Sequence, residues 1–154
     1  MTATKSAPRP SATRELPVRH LTVAPDVIND EWIVADDPIF SHLLATLSAV
    51  FPKGEDFFVA SVRRHRDAYV DNPMLKAQVK GFIGQEAMHS RAHRDLNRRL
   101  ADLGYFTERA DKTIGRICGA VLRMPPKRLA VAATAAAEHY TGLLGETALD
   151  HEPT

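Results

Sequence analysis

The residues of this chain best equipped for chemistry fall in one decapeptide, Gly84-Gln-Glu-Ala-Met-His-Ser-Arg-Ala-His93. Glu86, His89 and His93 stand at i, i+3 and i+7. On a helix, at about 100° per residue, the three share one face. One carboxylate and two imidazoles on such a stripe form a ligand set for zinc or another divalent transition metal. Their companions on the stripe are apolar: Leu75, Val79, Phe82, Ile83, Leu96 and Leu100. A polar group set among apolar ones costs free energy unless something binds it.

Two other carboxylates extend the set. Glu55 precedes Glu86 by the length of one helix, a turn and the antiparallel return to the same level. Glu138 interrupts an alanine-rich stretch, AVAATAAAEHY. Several carboxylates converging on one core are explained by a cation that lowers their pKa values and accepts their lone pairs. Glu-x-x-His is also the half-motif of helical bundles that hold two metal ions. Each candidate has a plainer reading. A carboxylate near a helix start, as Glu55 is expected to be, also serves the helix dipole. His139 follows Glu138 directly, so the two side chains diverge and His139 borders the site or packs. His42 and His65 have no partner pattern and read as structural or surface residues; His151 reads as solvent-exposed.

The elements that must position these residues are helices. Periodicity predicts a helix over 38–51 with Ile39, Phe40, Leu43, Leu44, Leu47 and Val50 inward. Pro52-Lys-Gly should break it, and a second helix should run over 55–70 with Phe58, Val62 and Tyr69 inward. Asn72 and Pro73 should cap and open a third, over 74–102. Gly104 suits a left-handed stop. A shorter helix is expected over 107–123 and a last one over 127–149. The fold class is all-α, a bundle over 38–154. Residues 1–20 read as a disordered tail and 21–37 as an extended strap with Trp32 as anchor.

Bulk properties narrow the function. At 154 residues the chain suggests one domain. A net charge of +1 offers no global field toward nucleic acid or an anionic membrane. The arginine clusters at 63–66 and 91–99 lie beside Asp67 and Asp95 with little aromatic interleaving, so they read as solvated faces and no nucleic-acid partner is expected. The single cysteine, Cys118, excludes an intramolecular disulfide and reads as a small core residue. No apolar run spans a membrane, and the N-terminus lacks the centre of a secretory signal, so a cytoplasmic protein is expected.

FPKGEDFFVASVRRHRD and NPMLKAQVKGFIGQEAMHSRAHRDLN resemble the bacterial predicted metal-dependent hydrolase family, over about 38–149. The resemblance implies a ferritin-like helical bundle with Glu55, Glu86, His89 and Glu138 as metal ligands and His93 as a further ligand or a neighbour of one. It implies a divalent transition metal, iron foremost, with zinc or manganese as alternatives. Family members carry another Glu-x-x-His-like motif beyond the helix holding Glu138. Glu146, Asp150, His151 and Glu152 do not reproduce it. Three readings follow: a truncated chain, a site completed by a partner copy, or a site for one metal or none. The expected activity is hydrolysis of a small-molecule substrate by metal-activated water. A di-iron oxidase or oxygenase uses the same residues. A non-catalytic paralogue that associates through an open bundle face is the third possibility.

Overall fold

A computed structural model of the chain describes residues 16–20, 33–34 and 37–150. Among these, four helices and no strand appear: α1 (Pro38–Arg63), α2 (Pro73–Asp102), α3 (Thr107–Arg123) and α4 (Arg128–Asp150), with a 3-10 turn at Arg66–Ala68. The all-α class is as expected. Of the strap at 21–37, only Ile33, Val34 and Asp37 are described; Trp32, residues 1–15 and His151 lie outside the described residues.

Helix starts follow local chemistry. Asp37 accepts a hydrogen bond from the Phe40 amide at 2.9 Å, with Pro38 at the first helical position. Asn72 does the same for Leu75 at 3.0 Å, ahead of Pro73. Gly104, at φ 92°, takes the left-handed conformation after α2.

The expected break at Pro52 does not occur. α1 runs through it in one piece and ends at Arg63, so only 55–63 of the helix expected over 55–70 are helical, as the second half of α1, and Tyr69 lies beyond the 3-10 turn at Arg66–Ala68. Proline removes one amide donor and leaves the carbonyl four residues earlier, that of Ser48, without its helical partner. Asn97 on α2 fills that role, its Nδ2 donating to Ser48 O across 3.1 Å. Tertiary packing thus replaces the missing bond, and Pro52 itself is fully buried.

The buried face of early α1 also differs from expectation. Ile39 is 83% exposed and Leu43 58%, and Phe40 is exposed as well. The residues buried there are Ser41, Ala45, Ser48 and Ala49, while Leu44, Leu47 and Val50, also expected inward, are half-buried. Small side chains let neighbouring helices come close, and α1 packs along both α2 and α3, with a shorter contact to α4. Leu75, expected inside, is exposed at the first turn of α2. Two apolar clusters result. Ala45, Leu100 and Tyr105 form one; Phe57, Phe58 and Ala130 form the other, with Cys118 packed against it. Along α1, Ser48, Pro52 and Glu55 lie between them.

Residues 16–20 run against α2. A Cβ at Gly81 would lie 2.5 Å from Leu16 O, and one at Gly84 2.6 Å from Val18 Cγ2. The Arg19 amide donates to Gln85 Oε1 at 2.9 Å. The two glycines are what allow this approach.

Candidate metal centre

Glu55 stands deep in α1, far from the helix start that sequence periodicity suggested, so the dipole reading of this residue fails. Its side chain is 1% exposed. Neither carboxylate oxygen has a hydrogen-bond partner. His89 Nδ1 lies 3.3 Å from Oε1, in ion-pair range but without hydrogen-bond geometry. Glu86, one turn before His89 on α2, is 5% exposed. Glu55, Glu86 and His89 each offer a ligand atom, and these lie within 4.8 Å of one another.

Electrostatics mark the same residues. Burial, reinforced by the Glu86 charge, pushes Glu55 up to about 8; Ser90 and Arg94 offset part of this. Burial, and then Glu138, raises Glu86 to about 7. Burial also raises Glu138 on α4 and lowers His89. Buried carboxylates that neither ionise easily nor find donors are costly. A divalent cation supplies what the protein withholds: it accepts the orphaned lone pairs and favours the ionised forms. The donor set of two carboxylates and an imidazole fits such an ion.

His93 and Glu138 lie outside that close trio. His93 sits beside it: its ring centroid is 5.5 Å from that of His89 and 4.4 Å from Phe51, stacked at an interplanar angle of 5°. Its Nδ1 is 2.9 Å from Ser48 Oγ. Burial, with His89 adding to it, lowers His93 to about 4. His139 is exposed and meets Tyr140. His42 and His65 donate Nδ1–H to the carbonyls of Pro38 and Ser61, at 2.8 and 3.0 Å, in structural roles.

A cleft of about 520 Å³ between α1 and α2 is lined by Glu55, Glu86, Ser90, Arg63 and Arg94. It links the carboxylates to solvent. Arg94 lies 3.7 Å from Asp56.

Ser48, Ser90 and Asn97 were not singled out by sequence reasoning. The available signal was Pro52, since a proline inside a helix frees one carbonyl that another residue must meet.

A family of proteins described as predicted metal-dependent hydrolases matches residues 17–154. The chain belongs to it. No curated protein and no solved structure matches the chain. Membership among the predicted metal-dependent hydrolases agrees with the trio of ligand-type residues in the bundle. Among the described residues no helix is long and apolar enough to cross a membrane.

Proposed function

We propose that the protein is a metal-dependent enzyme of ferritin-like type, with Glu55, Glu86 and His89 binding a divalent transition metal, Glu138 completing the carboxylate set and His93 lending a second imidazole. Iron is the first candidate, with zinc or manganese as alternatives. The observation that carries this reading is the Glu55 carboxylate, buried with two unpartnered oxygens beside Glu86 and His89. When bound, the metal lowers the pKa of a coordinated water and polarises a substrate oxygen. Glu55 and Glu86 supply the negative charge that holds the cation. His89 contributes a neutral ligand, since burial disfavours its protonation. The cleft between α1 and α2 admits a small-molecule substrate, with Arg63 and Arg94 along its wall.

Elemental analysis of protein purified without chelator tests the reading. Stoichiometric metal that disappears in Glu86→Ala supports it. Metal at trace level, unchanged by that substitution, rejects it. Iron accompanied by dioxygen uptake redirects the chemistry from hydrolysis to oxidation.

A second reading is association between copies. It is favoured by the exposed Ile39 and Leu43 on α1 and Tyr140, Leu143 and Leu144 on α4. The mass in solution decides it: a strict monomer at high micromolar concentration removes this reading.

A further inference from the structure

A chain of hydrogen bonds runs from the Ser48 carbonyl to His93. Pro52 leaves the Ser48 carbonyl without its helical donor, and Asn97 Nδ2 reaches that carbonyl at 3.1 Å. A carbonyl only accepts, so the amide atom facing it is the nitrogen. Asn97 Oδ1 is thereby turned to the Ser48 hydroxyl, 2.8 Å away. Oδ1 also only accepts, so Ser48 donates its one hydrogen there. His93 Nδ1 lies 2.9 Å from the same hydroxyl oxygen. That oxygen has no hydrogen left to give, so Nδ1 must be the donor.

The neutral ring carries one N–H. Phe51, stacked at 4.4 Å, holds the ring plane. Among the described residues, Nε2 has no hydrogen-bond partner.

We propose that Pro52, Asn97 and Ser48 set the tautomer of His93, placing its hydrogen on Nδ1 and leaving the Nε2 lone pair open to a metal held beside it by His89 and the two carboxylates. Histidines that ligate metals commonly donate their other ring N–H to a fixed acceptor, which holds both tautomer and orientation. Here that acceptor is a serine hydroxyl made acceptor-only by an asparagine. The asparagine is in turn oriented by a carbonyl that a proline has left open. Ser48 and Asn97 are positioning residues that act through His93. The role of Nε2 rests on the metal-dependent reading above; the tautomer rests on the hydrogen bonds alone.

Long-range ¹H–¹⁵N NMR of the full chain at pH 7, with and without Zn²⁺, tests both parts. The metal-free protein should show a protonated Nδ1 and a pyridine-type Nε2 at His93. Zn²⁺ should shift the Nε2 resonance. Ser48→Ala should mix the tautomers and weaken zinc binding about tenfold or more, and Ser48→Thr, which keeps the hydroxyl, should recover both. A protonated Nε2 in the wild-type, metal-free protein overturns the proposal whatever the metal does. Zinc that shifts His89 but leaves His93 Nε2 unmoved overturns the ligand role. Failure of zinc to bind at all, with the Nδ1–H tautomer present, sinks the metal-dependent reading and the ligand role with it, while the tautomer lock stands.

Discussion

His89 Nδ1 stands 3.3 Å from Glu55 Oε1, joining α2 to α1 at the level where Glu86 also turns inward. The contact is too poorly aligned to count as a hydrogen bond, and it leaves both Glu55 oxygens without a donor. A site built for stability alone would have satisfied them. Strain of this kind is characteristic of binding sites, which trade stability for function.

Glu55→Gln separates the two roles. With the charge gone, metal content should fall at least tenfold. At pH 9, where Glu55 with its pKa of about 8 is ionised, the metal-free variant should melt a few degrees higher than wild type. Calorimetry on chelator-treated protein checks this. A lower melting temperature would show that the carboxylate is a stabilising structural residue.

Metal-free stability should fall as pH rises. Both carboxyls have folded-state pKa values above the ordinary 4.5, at about 8 for Glu55 and about 7 for Glu86. The folded chain therefore holds protons that the unfolded chain has released. Their contribution is fully present below about pH 4.5 and is lost as pH climbs through 7 to 8. Metal affinity should move the opposite way, rising over the same window because ligation requires the ionised forms. Denaturant melts and zinc titrations between pH 5 and 9 read both slopes; parallel slopes would contradict the assignment.

Glu138→Gln should act on Glu86. Removing the Glu138 charge lets Glu86 ionise at lower pH. The pH midpoint of zinc uptake should drop, while affinity at pH 8 falls about tenfold through loss of a ligand. An unchanged midpoint would place Glu138 outside the site.

Gly81→Ala should free residues 16–20 from α2. Alanine favours a helix interior over glycine by about 1 kcal/mol, yet its Cβ would lie 2.5 Å from the Leu16 carbonyl oxygen. Faster tryptic cleavage after Arg19, with the helical circular dichroism retained, is the expected result. Unaltered cleavage would mean that the segment adjusts without leaving.

The starts of α1 and α2 and the stop after α2 were legible in the sequence because they depend on neighbours in the chain. Asn72 caps, Pro38 and Pro73 start, and Gly104 stops, each through the conformation of its own backbone. The Glu86–His89 stripe was legible for the same reason, since helical spacing alone puts both on one face. The fate of Pro52 was not legible. Proline's local effect is to end a helix, and only Asn97, from another helix, supplies the bond that lets α1 continue. With that continuation, Glu55 moved from an expected helix start to a buried interior position.

Residue types and spacing thus determined which groups could bind a metal, and the tertiary structure decided which of them meet. Glu55, Glu86 and His89 come together because α1 and α2 pack antiparallel through small residues. Of the apolar face expected inside early α1, Ile39, Phe40 and Leu43 were turned outward by that same packing and Leu44, Leu47 and Val50 are half-buried, with Ser41, Ala45 and Ser48 at the centre of the contact. Periodicity identifies a face but not its partner. The closeness that small side chains permit between helices, and the hydrogen bonds left open by one proline, are settled only when the helices are side by side.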